Sequence, residues 1–161
     1  MNKKIGFTIG KFAPFHIGHK YLIETALKDM DEFYVVVYDT PELKIKIEDK
    51  IKWIQSDFPD VKILKAYNSP KQYGLDEESV KIQMEYLIKQ IEGIPVTCFY
   101  SSEQYGEKVA QYLGIKNRTV DIKKVQIPIS ASKIRNNIED NKNFLEKQVY
   151  DDIKEFSRKK I

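Results

Sequence analysis

Apolar residues along this chain keep two different rhythms, and the rhythm changes mark the predicted elements. Ile5, Phe7 and Ile9 alternate with smaller residues and predict a strand ending at Gly10. Ile17, Tyr21, Leu22 and Ala26 then recur at helical spacing and predict a helix from Ile17 to Met30. Phe33 to Tyr38 is an unbroken β-branched and aromatic run, the pattern of a strand covered on both faces. A helix is predicted over Glu48–Phe58 and a short strand over Val61–Ala66. Asn68 to Gly74 reads as a loop, and Asp76 as the cap of a helix reaching Glu92, with Val80, Met84, Leu87, Ile88 and Ile91 inward. A fourth strand is expected at Pro95–Tyr100, a helix at Glu103–Leu113 stopped by Gly114, and a fifth strand at Arg118–Ile122. Further helices are expected from about Ser130 and over Lys147–Ser157.

Strands alternating with helices predict an α/β fold: a Rossmann-like open parallel sheet of about five strands with helices on both faces. The 161 residues suit one domain, with a core over about 3–138 and a helical C-terminal extension over about 139–161. Ligands of such sheets gather at the carboxyl ends of the strands. That edge would carry Gly10–His19, Asp39–Lys46, Asn68–Gly74, Tyr100–Glu103 and Lys123–Ser132.

Composition narrows the functional classes. With 42% hydrophobic and 32% charged residues there is material for a core, which argues against general disorder. The net charge is +3, carried almost wholly by lysine, with arginine only at Arg118, Arg135 and Arg158. That reads as a solvated surface and not as a nucleic-acid footprint. Cys98 is the lone cysteine, so no intrachain disulfide can form. No stretch approaches the roughly 20 apolar residues of a membrane span, and the N-terminus lacks a signal-peptide pattern. A cytoplasmic protein without membrane or nucleic-acid partners is expected, and a homo-oligomer stays open.

Both histidines fall in one turn, Gly10-Lys11-Phe12-Ala13-Pro14-Phe15-His16-Ile17-Gly18-His19. Spaced by three at a helix start, their imidazoles face the same way. Backbone N–H groups and the positive helix end there favour an anion. Gly10 and Gly18 would let the backbone approach a ligand, and Lys11 adds charge. Phosphoryl and nucleotidyl transfer need such donors for the developing charge. A structural zinc site would need four ligands, and one thiol with two imidazoles supplies three. Downstream, Ile129-Ser130-Ala131-Ser132-Lys133-Ile134-Arg135 follows the loop that contains Lys124. Ser130 can cap a helix there, and Arg135 can fork onto phosphate oxygens.

Gly-Lys-Phe-x-Pro-x-His-x-Gly-His followed by Ile-Ser-x-Ser-x-x-Arg resembles the HxGH nucleotidyltransferase superfamily. It is most similar to nicotinamide mononucleotide (NMN) adenylyltransferases of the archaeal type and to the adenylyltransferase domain of the bacterial bifunctional NMN adenylyltransferase/ribosylnicotinamide kinase. Tyr100-Ser101-Ser102-Glu103 also resembles that bacterial domain. The resemblance implies a HUP-type fold and transfer of AMP from Mg-ATP to a mononucleotide, releasing pyrophosphate. It implies that His16, His19, Lys11 and Arg135 act on the triphosphate. It further implies nucleotide contacts from Gly10, Phe12, Pro14, Gly18, Ser101, Ser102, Asp121, Lys124, Ile129, Ser130 and Ser132. Asp39, Asn68 and Tyr73 would lie on the acceptor side. Mg2+ would ride on phosphates and water, without a protein side-chain cluster.

Departures from the family pattern are also visible. Ser132 stands where threonine is usual, and Lys124 where the bacterial domain tends to have arginine. The loop after the third strand lacks the tryptophan that stacks on nicotinamide, with Tyr73 as its substitute; Trp53, on the preceding helix, reads as core. The competing readings are a cytidylyltransferase, another adenylyltransferase (glycerol phosphate, phosphopantetheine or FMN as acceptor), and a nucleotide-binding sensor without turnover. No GxxxxGK[ST] loop is present in these 161 residues, so no P-loop kinase activity is expected of them.

Overall fold

A computed structural model describes residues 3–71, 74, 76–103, 106–121 and 128–158. Five strands, β1 (Ile5–Gly10), β2 (Glu32–Tyr38), β3 (Lys62–Ala66), β4 (Cys98–Ser101) and β5 (Lys116–Thr119), form one sheet in the order β3-β2-β1-β4-β5. Every pairing is parallel, with Gly10 beside Val37, Phe7 beside Phe99 and Ser101 beside Thr119. The chain grows outward from β1 to β2 and β3, then returns to add β4 on the other side. The crevice therefore opens above the carboxyl ends of β1 and β4, where the winding reverses.

The period-two alternation of β2 sorts its side chains onto two cores. Phe33, Val35 and Val37 join Leu22, Ile23 and Ala26 of α1 (Ile17–Asp29) and Trp53 and Ile54 of α2 (Ile47–Asp57). Ile134 of α5 (Ala131–Asn136) and Val149 and Ile153 of α6 (Lys147–Arg158) belong to the same layer. Val36, Phe7 and Phe99 face Met84, Leu87 and Ile91 at α3 (Glu77–Gln90) and Val109 of α4 (Gly106–Leu113). Helices thus cover both faces, as the element pattern predicted.

Several boundaries move for identifiable reasons. β4 begins at Cys98 and not at Pro95, because proline has no N–H for the ladder. Thr97 makes the entry instead, its hydroxyl accepting from the Ile5 N–H at 3.0 Å. β5 begins at Lys116, two residues after Gly114, which stops α4 in a left-handed turn (φ 69°), so the strand lies two residues earlier than predicted. Ile88 was expected inward but is 41% exposed; Ile23, which was not singled out, is fully buried. Trp53 is core, and its Nε1 donates to Asp152 at 2.8 Å, fastening α6 to α2.

Phe99 is fully buried with its ring 4.9 Å from that of Phe7. Phe99→Ala should therefore lower unfolding free energy by about 3–5 kcal/mol, measured by urea denaturation. A loss under about 1 kcal/mol would show that this layer is not packed as described.

Candidate functional site

The cleft at the switch point is assembled from three stretches far apart in sequence. One cavity of about 340 Å³ is bordered by Lys11, His16, His19, Ser102, Asp121 and Arg135, among others. Phe12, Gly18, Ile129, Ser130 and Ser132 also line it. A second, of about 190 Å³, continues from it over Thr8, Gly10 and Ser101 and shares Lys11, Phe12, His19 and Ser102 with the first. Their combined size suits a small ligand of nucleotide dimensions.

The histidine turn is held by its own backbone. His16 caps α1: its Nδ1 accepts the Gly18 N–H at 3.0 Å, while His19 Nδ1 accepts the His16 N–H at 3.1 Å. The two rings stack with centroids 3.7 Å apart. An Nδ1 that accepts must be unprotonated, so each neutral ring carries its proton on Nε2. Two backbone N–H groups expected to meet the anion are therefore spent on the imidazoles, and Nε2–H becomes the donor in their place. Phe15 stacks on His19 at 5.8 Å and Phe12 meets it edge-on at 4.7 Å, so apolar rings hold the outer imidazole.

Gly10 has a different physical reason from the one expected. A Cβ there would come within 2.9 Å of the Phe12 ring, so the missing side chain makes room for Phe12. Phe12 itself has φ 46°, a strained conformation for a bulky residue at a turn. Pro14 is buried and does not line the cleft. Ser101 is buried at the end of β4, where its Oγ accepts the Glu103 N–H at 2.9 Å. Ser102 is the member of that pair shared by both cavities.

From the other side, Ile134 is fully buried and roots α5 in the core, leaving the exposed Arg135 to reach across. Its Nη1 donates to the Ala13 carbonyl at 2.7 Å and its Nη2 to Ser132 Oγ at 3.4 Å, so the guanidinium ties the second motif to the first. Ser130 caps α5 by accepting the Lys133 N–H at 3.3 Å, as expected. With six residues α5 is too short for much of a helix dipole, so its side chains are what it brings to the cleft. Asp39 and Asn68 follow β2 and β3 and lie off the cleft, whereas Lys124 and Tyr73 lie outside the described residues.

Lys50 was not anticipated. It is fully buried on the inner face of α2, donating to the Tyr38 carbonyl at 2.9 Å and to Thr40 Oγ1 at 2.6 Å. Burial lowers its pKa to about 8, with Asp39 and Glu42 pulling it up and Lys11 pushing it down. Between that value and the ordinary 10.5 the folded chain sheds the proton first, so this group adds stability as pH rises through the window. The available sequence signal was its place in the apolar stripe Ile47, Lys50, Ile54.

Among the described residues no helix is long and apolar enough to cross a membrane, and no three His, Cys, Asp or Glu side chains converge to hold a metal.

Comparison with known proteins places this geometry. The chain is 29% identical, over 84% of its length, to the trifunctional NAD biosynthesis/regulator protein NadR of Escherichia coli K12 and likewise of Salmonella typhimurium. It spans 37% of those relatives' length. Its fold matches a NadR protein in complex with NAD and AMP-PNP (TM-score 0.63, 20% identity, 88% of this chain and 44% of that one). It also matches a bifunctional NMN adenylyltransferase/ADP ribose pyrophosphatase of Francisella tularensis, complexed with AMP and a manganese ion (TM-score 0.57, 18% identity, 94% and 52%). The family model of the citrate lyase ligase C-terminal domain covers residues 6–127. The chain belongs to that nucleotidyltransferase-like family and shares its fold with these NadR and NMN adenylyltransferase structures.

Proposed function

We propose that this chain transfers AMP from Mg-ATP to nicotinamide mononucleotide, forming NAD and pyrophosphate. The observation that carries the reading is the pair of stacked imidazoles whose Nδ1 atoms are occupied by backbone amides, facing the same cleft as Lys11 and Arg135. An ionised acceptor phosphate needs no general base. Its oxygen attacks the α-phosphorus in line, the α–β bridging bond breaks, and the electron pair leaves with pyrophosphate. Nε2–H donors on fixed rings stabilise the charge that grows on the nonbridging oxygens, with little reorganisation at the moment of reaction. Lys11 and Arg135 neutralise the triphosphate, and hydroxyls of Ser130 and Ser132 add donors along it. Gly10, Phe12, Gly18, Ser102, Asp121 and Ile129 border the nucleotide. The donor set is cationic and hydroxylic, which fits a magnesium ion carried by phosphates and water. When bound, that ion supplies further charge neutralisation.

The acceptor is supported by the NadR relatives, whose name states NAD biosynthesis, and by the Francisella enzyme, named as an NMN adenylyltransferase. A second reading is favoured by the family description itself, which names a ligase. A carboxylate acceptor would present the same ionised oxygen to the α-phosphorus and release the same pyrophosphate. Pyrophosphate release with ATP or CTP against NMN and a carboxylate panel separates these; release with CTP alone, or with carboxylates alone, overturns the proposal.

His19→Ala should lower turnover by about two to three orders of magnitude, as expected for loss of one transition-state donor, and should also cost about 1 kcal/mol of stability through the lost cap on the His16 N–H. Near-normal turnover would remove the proposed role. Arg135→Lys keeps the charge and loses the fork, and should raise KM for ATP by about tenfold. An unchanged KM would show that the guanidinium serves only to hold Ala13.

A further inference from the structure

The chain that follows α5 is stitched to two helices at once. α5 has six residues, too few to hold its own last carbonyls in place. Asn141 does so from outside: its Nδ2 donates to the Asn137 carbonyl at 2.8 Å and to the Lys133 carbonyl at 3.1 Å. Ile138, Phe144 and the buried Leu145 then pack the chain against the core layer that α1 and α2 share. Directly after Leu145, the Glu146 carboxylate accepts from the Lys20 ammonium, which also lies 3.6 Å from Asp57 at the end of α2. Lys20 follows His19 in α1, and its own N–H donates to the His16 carbonyl at 3.2 Å. Burial pulls the Lys20 pKa down, but the Glu146 hydrogen bond and the charges of Asp57, Glu146 and Glu24 outweigh it and hold it above the ordinary value. The group is therefore fully charged at neutral pH.

None of Lys20, Asp57, Asn141 and Glu146 borders either cavity, so they reach the cleft only through the helices they hold. Those helices carry the two halves of the site: α1, capped by His16, presents His19, and α5 presents Ser132 and Arg135. At the cleft the halves meet where Arg135 donates to the Ala13 carbonyl, a contact that competes with phosphate for the same guanidinium. The link from Lys133 through Asn141 and Glu146 to Lys20 competes with no ligand. We propose that the segment 137–146 is a strap that sets the spacing of the two phosphate-holding helices, with Lys20 and Glu146 as positioning residues for His19. The inference rests on the triphosphate reading of the cleft given above. An ion pair whose side chains are 22% and 43% exposed adds little to global stability. What it fixes is the first turn of α1, and in-line transfer is sensitive to displacements of about 1 Å there.

The test uses the full chain with Lys20→Met, Glu146→Ala, the two combined, and Lys20→Arg, which keeps the charge. In pyrophosphate release with ATP and NMN, each of the first two should lower kcat by about tenfold or more. The urea midpoint should barely move, as for any partly exposed ion pair. The combined variant should lose no more than about twofold beyond the worse single one, because both act through one bond. Lys20→Arg should recover most of the rate. Losses that multiply in the combined variant, a kcat within about twofold of wild type in the single ones, or a rate loss matched by global destabilisation would overturn the proposal. Glu146→Ala, at a partly exposed side chain, keeps the test alive should Lys20→Met fail to fold. Amide hydrogen exchange gives a readout independent of turnover: the Gly18 and Lys20 amides should exchange faster in Glu146→Ala, with β2 unchanged. Unchanged exchange at both amides overturns the inference, whereas a wild-type chain that releases no pyrophosphate sinks the transfer reading and leaves exchange to decide on the strap.

Discussion

Two hydrogen bonds from backbone amides to imidazole nitrogens set the chemistry of this molecule. By accepting at Nδ1, His16 and His19 close the first turn of α1 and at the same time fix which ring atom carries a proton. The helix start is thereby capped by the very side chains that face the cleft, so a change that disturbs the cap disturbs the site. The surrounding packing serves that arrangement. Phe15 lies parallel to the His19 ring, Phe12 meets its face edge-on, and the absence of a side chain at Gly10 lets Phe12 occupy its place.

Sheet topology decides where this turn ends up. Because β4 pairs with β1 on the side opposite β2, the loop after β1 opens between two strands that lead their chains in opposite directions. Into that opening α5 brings a guanidinium 122 residues downstream of the carbonyl it holds. Ile134 makes this reach reliable, since its burial anchors a helix otherwise too short to be stable alone. A buried charge, Lys50, holds the Tyr38 carbonyl at the end of β2, as the exposed Arg135 holds the Ala13 carbonyl beside the cleft.

Much of the fold was legible because its strands are short apolar runs and its helices keep a clear period, as β2 and α2 do. The parallel pairing followed from alternation alone, whereas the strand order β3-β2-β1-β4-β5 did not. What could not be read were local backbone effects: Pro95 delaying β4, and the early start of β5 after Gly114. The clustering of His16, His19, Lys11, Ser130, Ser132 and Arg135 at one cleft was expected from two motifs on a common sheet edge. The role of Gly10 as room for Phe12, and the inward position of Pro14, depend on a turn geometry that residue types do not specify. Lys50 escaped notice because a lysine in an apolar stripe ordinarily extends its amine to water. Here two oxygens at the end of β2 hold it inside.

With only two histidines in the chain, imidazole nitrogen NMR gives the most direct measurement. Both rings should appear as neutral Nε2–H tautomers with Nδ1 accepting, and addition of Mg-ATP should shift the Nε2 resonances of both. A proton on Nδ1 of either ring, or Nε2 signals indifferent to ATP, would contradict the account.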